Sequence, residues 1–339
     1  MPRLLMVVSS ARTLTLADGT EHPTGYWAEE VEKPYRRFVE QGVEVVVATP
    51  DGQPPQPDPY GLEPIFHYPD EDEDFAGSVF RSFAPDVDDI RLTLHHLTEL
   101  NLMAARRVFL ALRDAGLSAV EARGVTETTA RRAWAGDRDF IDVLAEEAVV
   151  AANIPTERLR RIADELRADS EAESRRVAAE LASIEALRRP RKLSDIGDDE
   201  AVTFDAIFFP GGHGPMVDLV DNPEVDRLVR LIHERDRTVA ALCHGPAALL
   251  SVGQAQGGWL FDGYKLTAFT DEEEDQTQAG RLGMAWYLET ALKNAGAVFD
   301  DGDSAWAPHI VVDRNLVTAQ NPASSEAAAD AVLKKLGVL

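Results

Sequence analysis

An apolar strand that ends on the chain's one cysteine constrains this sequence more than any other stretch. Residues 238–250 read TVAALCHGPAALL. Thr238 to Leu242 is an apolar run of strand type, Cys243 and His244 follow, and Gly245-Pro246 leads into an Ala/Leu run of helical type. The pattern predicts a strand that enters a sharp turn and leaves as a helix. Such an elbow lifts a nucleophile clear of a sheet, at the open end of its strands. A helix starting at the Gly-Pro step would aim free N–H groups at the sulfur and favour thiolate over thiol. A small residue after the turn permits the cramped backbone that an elbow requires. A lone cysteine is by itself more often a small buried hydrophobe; the Cys-His-Gly-Pro frame is what points to chemistry.

The elbow needs a sheet, and the flanking sequence supplies one. Leu4 to Val8 reads as a buried strand, Trp27 to Gly42 as a helix with a stop at the glycine, and Val43 to Ala48 as a second apolar strand. Strand, helix and strand in about fifty residues form a βαβ unit and imply a parallel sheet. The pattern resumes at Phe204 to Phe209, which runs into Pro-Gly-Gly-His-Gly-Pro-Met216. Asn222 and Pro223 then open a helix as N-cap and first-turn residue. Tyr264 to Phe269 reads as a strand, Met284 to Ala295 as a helix, and His309–Asp313 with Asn315–Thr318 as a hairpin before a final helix. The fold class expected is α/β, an open, mostly parallel sheet sandwiched by helices, with ligands at the carboxyl ends of the strands.

Between about 86 and 188 the periodicity turns helical, with apolar Ile90, Leu94 and Leu97, then Val108, Leu110 and Leu112. The expected organisation is one α/β domain over 1–339, interrupted by a helical insertion at about 86–188. The adjacent His95 and His96 diverge on a helix and make a poor metal pair. The acidic run Asp70 to Asp74 reads as a solvated face.

The 339 residues carry a formal net charge of -25, which disfavours nucleic acid and anionic membranes as partners. One cysteine excludes an internal disulfide and a cysteine-cluster metal site. The apolar run in MPRLLMVVSS is too short for a signal peptide, so a cytoplasmic location is expected.

Several residues could serve the thiol. His244 is a candidate base or orienting partner, although side chains on neighbouring residues ordinarily diverge. One acid among Asp271, Glu272, Glu273, Glu274 and Asp275 could orient its ring, the rest being solvated. The glycine-rich turn Gly211-Gly-His-Gly214 could offer backbone N–H groups to an oxyanion or be simply a tight turn. Glu29 and Glu30 open the first long helix, where acids are common for dipole reasons, and in this sheet order that helix start faces the cysteine's strand end.

Taken in order, GYWAEEVEKPY, FDAIFFPGGHGPM, VAALCHGPAALL, LTAFTDEEED and TAQNPASS resemble the ThiJ/PfpI superfamily, on the class I glutamine amidotransferase-like, flavodoxin-like fold. The branch most similar is the heat-shock-protein-31-like one, whose members are described as glyoxalase III, protein deglycase or holding chaperone. The resemblance covers roughly 1–84 and 189–339. It implies Cys243 as nucleophile, Glu30 as the acid/base that contacts the thiol, His244 as the adjacent histidine, and Glu274 as the third acid. Gly212 and His213 match the turn that supplies oxyanion-hole N–H groups. No His-x-Glu pair lies far downstream of the cysteine, as glutamine amidotransferase activity would need. Thr318-Ala-Gln-Asn-Pro322 departs from the family's Thr-Gly-Gln-Asn-Pro, which is expected to tighten that loop. The resemblance implies no cofactor; some relatives bind zinc, and no metal ligand is assigned to a position here.

The expected function is a cofactor-independent, glyoxalase III-type conversion of a 2-oxoaldehyde such as methylglyoxal to a 2-hydroxy acid. Alternatives are a cysteine-dependent deglycase, amidase or peptidase, or, in another class, a holding chaperone or redox stress sensor. The expected partners are a small reactive aldehyde or a glycated protein, with the chain as a homodimer.

Overall fold

The structure is a computed structural model that describes residues 1–62, 109–136, 143, 156–253, 257–302 and 305–339. Ile90, Leu94, Leu97, Val108, the Asp70–Asp74 run, His95 and His96 lie outside the described residues. The chain divides into two compact units, Met1–Gly61 with Val177–Leu339, and Leu62–Arg176. In the second unit Ala119–Gly136 is helical, and the Thr156–Ser183 helix begins there.

The first unit is built on a seven-stranded sheet. Its strands are β1 (Arg3–Val7), β4 (Glu44–Thr49), β5 (Arg191–Lys192), β6 (Ala206–Phe209), β7 (Thr238–Leu242), β10 (Ile310–Asp313) and β11 (Leu316–Ala319). The order is β10-β11-β7-β6-β1-β4-β5, all parallel except the β10–β11 hairpin. This is the mostly parallel α/β sheet that the sequence predicts. Two small pairs stand outside it, β2 (Thr13–Thr15) with β3 (Glu21–Pro23) and β8 (Lys265–Leu266) with β9 (Val298–Phe299).

The central strands are apolar on both faces, and β6 and β7 are buried throughout, as a sheet covered by helices requires. Helix α1 (Ala28–Glu40) leaves the loop after β1 and packs against the C-terminal helix Ser325–Lys335. On the other face, Val225, Leu228, Val229 and Ile232 of the Pro223–His233 helix enter a core with Phe204, Phe209 and Phe261. That helix starts where predicted, with the Asn222 side chain accepting from the Glu224 and Val225 N–H groups. Three expectations need correction. Only Lys265 and Leu266 of the Tyr264–Phe269 stretch form strand, and they pair outside the main sheet. The helix expected from Met284 starts at Leu288. Ala319 is the last residue of β11, so the missing glycine falls in a strand and not in a loop.

The chain runs from β1 through α1 to β4 on one side, and later builds β6 and β7 on the other. The carboxyl ends of β1, β6 and β7 therefore open at the point where strand order reverses, the usual ligand crevice of such sheets.

Candidate active site

Cys243 follows the last residue of β7 and sits in the left-handed region at φ 58°. A side chain there carries steric strain, and non-glycine residues in this region concentrate at functional sites. Two main-chain bonds hold the turn: the Cys243 N–H donates to the Ala319 carbonyl at 2.8 Å and the Phe269 N–H donates to the Cys243 carbonyl at 2.9 Å. The left-handed residue breaks the strand's alternation, and the next side chain folds back beside the sulfur. His244 Nδ1 lies 3.3 Å from Cys243 Sγ. The divergence expected of neighbouring side chains does not occur here.

The other edge of that ring meets a carboxylate. His244 Nε2 is 2.7 Å from Glu274 Oε2. Glu274 ends a one-turn helix, Asp271–Glu274, whose start is fixed by a capping box between Thr270 and Glu273. The Glu273 carboxylate is engaged elsewhere; it accepts from the main-chain N–H of Trp306 and the side-chain amides of Gln320 and Asn321. Of the five acids in the run, Glu273 and Glu274 are buried, and Glu274 alone reaches His244.

Glu30 also reaches the sulfur. It stands in the first turn of α1, and the Gly211 N–H donates to its Oε2 at 2.7 Å. The Gly211–Gly214 loop is laced to the segment entering α1: the Trp27 N–H donates to the Gly211 carbonyl, and the Gly214 N–H to the Gly25 carbonyl. Gly212 has φ +81°, and a Cβ there would lie 2.5 Å from the Gly25 carbonyl oxygen, so only glycine fits. Its N–H points to the Cys243 sulfur. The Glu30 side chain is fully buried and hydrogen-bonded to the Cys243 thiol.

Burial governs the electrostatics. It pushes the Cys243 thiol well above its ordinary value, Glu30 pushes it further, and the Gly212 N–H opposes the shift. Burial raises the Glu30 carboxyl to about 8 against the pull of Cys243 and Gly211. Burial and the neighbouring His213 bring the His244 imidazole down to about 4. Burial would raise Glu274, but the two imidazoles that face it hold its carboxyl well below the usual range. The expected resting thiolate at a helix N-terminus is not what forms. The stretch after the elbow is a seven-residue 3-10 helix, Gly245–Ser251, and desolvation outweighs whatever its dipoles supply. The ionised Glu274 keeps the His244 proton on Nε2, which leaves the Nδ1 lone pair facing the thiol. The set can thus make its nucleophile on demand, as sulfur gives its proton to Nδ1.

The sequence gives no local sign that the His213 ring joins this set. The His213 ring does not merely flank a backbone donor; its Nε2 lies 2.8 Å from Glu274 Oε1, and it packs on His244 at 4.2 Å between ring centroids. Phe269 covers His244 at 4.4 Å and Trp306 backs Phe269 at 5.4 Å. The Thr270-x-x-Glu273 spacing marks only the helix-capping role of Glu273. Among the described residues, His213, His244 and Glu274 could also hold a metal ion, their ligand atoms lying within 4.8 Å of one another.

Glu274→Gln tests the orienting role without reference to substrate. A carboxamide offers one oxygen and one NH2 group to two imidazoles, so one ring must change tautomer. Alkylation of Cys243 by iodoacetamide is expected to slow by roughly 100-fold, the low end of general-base contributions, with the fold retained.

With this geometry in view, comparison with known proteins gives a consistent result. Residues 188–335 match the DJ-1/PfpI family. This part of the chain is similar to the DJ-1/PfpI family. The protein/nucleic acid deglycase HchA of Escherichia coli K12 is 34% identical over 148 residues, which is 41% of this chain and 50% of that protein. The same protein of Escherichia coli O1:K1 gives the same figures. The chain thus spans about half the length of the curated relatives it matches. Glyoxalase III of Candida albicans superposes with a TM-score of 0.58 at 18% identity, covering 99% of this chain and 97% of that one. The Francisella tularensis rapid encystment protein gives 0.56 at 20%, covering 99% of each chain. At these identities the structural matches establish the fold alone. The matched region contains Gly212, His213, Cys243, His244 and Glu274, while Glu30 comes from helix α1 outside it. No described helix is long and apolar enough to cross a membrane.

Proposed function

We propose that this chain is a cysteine-dependent enzyme of the deglycase/glyoxalase kind, and that Cys243 attacks the aldehyde-derived carbon of a 2-oxoaldehyde or of its adduct with an amine. One observation carries the reading: the thiol interacts both with His244 Nδ1, at 3.3 Å, and with the buried Glu30 carboxyl. The deglycase form is favoured by the HchA relatives. The free-aldehyde form, methylglyoxal to lactate, is the second reading, and the raised carboxyl beside the sulfur supports it, since the proton shift it needs calls for a group that titrates near neutrality.

The two forms share a path. Cys243 passes its proton to His244 as sulfur bonds to the aldehyde carbon, giving a hemithioacetal; from an adduct, the amine leaves with a proton. Glu30 donates its proton to the substrate oxygen as charge grows there, with backbone N–H groups of Gly212 and His213 as the other donors. Glu30 as carboxylate then takes the proton from the sulfur-bearing carbon and returns it to the neighbouring carbonyl carbon through an enediol. The product is a 2-hydroxyacyl thioester. Water hydrolyses it, which releases the 2-hydroxy acid and restores the thiol. The redox change is internal to the substrate, so no outside oxidant is needed.

The test is formation of lactate from methylglyoxal and from a methylglyoxal-modified arginine peptide, the latter with an aldehyde scavenger present. Lactate from the peptide despite the scavenger supports the deglycase form; lactate only from free aldehyde supports the other. Lactate from neither removes the proposal.

The reading also sets a pH profile. His244 must be neutral to accept the thiol proton, so activity falls below a pKa of about 4. Glu30 must hold a proton to donate it, so activity falls above about 8. The expected kcat/KM profile is a broad bell between these limits. An alkaline limb that survives unchanged in Glu30→Gln would show that another group sets it.

A further inference from the structure

Glu274 is held on both oxygens by imidazoles. A thiol relay needs one histidine on its acid, and His244 fills that place through Oε2. The second ring, His213, sits on Oε1, with its own Nε2 turned to the same carboxylate. Three ligand atoms of the kinds zinc favours, two imidazole nitrogens and a carboxylate oxygen, lie within 4.8 Å of one another. We infer that His213, His244 and Glu274 form a site for a divalent cation of the zinc class, and that its occupation shuts off the thiol.

The surroundings suit that assignment. His244 and Glu274 are buried, while the His213 side chain keeps 13% of its surface exposed, so a cation has an approach from the solvent side. Metal-bound histidines usually present their other ring nitrogen to a polar partner. His244 Nδ1 has the Cys243 sulfur at 3.3 Å, and the buried Asp58 is charge-coupled to His213. The Thr277 hydroxyl donates to Glu274 Oε1 at 3.0 Å and steadies the carboxylate. His22 also interacts electrostatically with His213, and Glu30 with the sulfur. Two nitrogens and one oxygen select zinc, cobalt or nickel over magnesium and calcium, which prefer all-oxygen shells. Tetrahedral ligands about 2.1 Å from zinc stand about 3.4 Å apart, so the 2.7 and 2.8 Å contacts, which go to the two different oxygens of Glu274, must open, and the wider spacings within the 4.8 Å set must close, for both nitrogens and one carboxylate oxygen to meet one cation.

Inactivation follows from proton placement. A cation on His244 Nε2 moves that ring's one proton to Nδ1, the nitrogen that faces sulfur. The thiol then has a donor where it needs an acceptor. This consequence rests on the proposed function; the binding does not.

The binding test uses the purified full chain, stripped of metal, and zinc titrated against a chromophoric chelator. The wild type is expected to bind one zinc. Cys243→Ala is expected to bind it within about threefold of the wild-type affinity, since sulfur is not a ligand. His213→Gln is expected to bind at least tenfold more weakly, with its fold checked by near-ultraviolet circular dichroism, and Glu274→Gln gives an independent reading of the same site. Cobalt in place of zinc should show visible d–d bands without a thiolate charge-transfer band. The inference is overturned if the wild type shows no saturable binding, if His213→Gln and Glu274→Gln both keep wild-type affinity, or if Cys243→Ala loses the metal. These readouts need no turnover, so loss of the activity proposal and loss of the metal site are separate outcomes.

Discussion

Cys243→Ala will lose at least about 10⁴-fold in turnover of any substrate the wild type accepts, and will trap no covalent intermediate by mass spectrometry. The size follows from what the site keeps: Gly212 and Glu30 remain to polarise a carbonyl, but no atom is left to bond to its carbon. Cys243→Ser is expected to fall almost as far, because a buried hydroxyl ionises even less readily than this thiol, already pushed upward by its surroundings. Stability should barely change. Alanine has the same Cβ as cysteine in the strained conformation at φ 58°, so the backbone cost is common to both, and thermal melts of the two proteins should overlay closely. Substantial activity in Cys243→Ala would end the assignment of the thiol as nucleophile.

Gly245→Ala is expected to act in the opposite way, on the fold before the chemistry. A Cβ at Gly245 would lie 2.1 Å from the Phe209 carbonyl oxygen and 3.0 Å from its carbon. Phe209 ends β6, which is paired on both sides by β1 and β7 and is buried on both faces, so it cannot step back. Relief must come from tearing the elbow away from the sheet. The expected loss is about 3 kcal/mol or more, a fall in Tm of roughly 6–12 °C for a unit of this size. Gly197→Ala is the control: nothing stands within 4 Å of its Cβ, and the change should cost under about 1 kcal/mol. Equal melting temperatures for the two variants would mean that the elbow is looser than its contacts imply.

These results bear on how the site can be read from sequence. Cys243 was legible because its frame is local: a five-residue strand with four apolar residues, the cysteine and its histidine, then Gly-Pro. Gly245 was legible as a small residue, yet its reason, the Phe209 carbonyl, lies in another strand. The acidic run shows the same division. The Thr270-x-x-Glu273 spacing marks a helix start, and the family resemblance singled out Glu274. That Glu273 instead anchors Trp306, Gln320 and Asn321 depends on loops that meet only in the folded chain.

What the sequence determined by itself is the alternation of strands and helices, the parallel sheet and the elbow, because each follows from the order of apolar runs and turn residues along a short window. The tertiary structure decided three further things. It brought Glu30, more than two hundred residues upstream, to the sulfur, because strand order places the start of α1 beside the end of β7. It turned His244 onto its own neighbour and His213 onto Glu274, because a left-handed residue and a glycine loop cancel the alternation that a strand would impose. And it set the protonation states, since desolvation belongs to the packed site and not to any residue type: burial keeps the thiol protonated and raises Glu30, while two imidazoles hold Glu274 ionised.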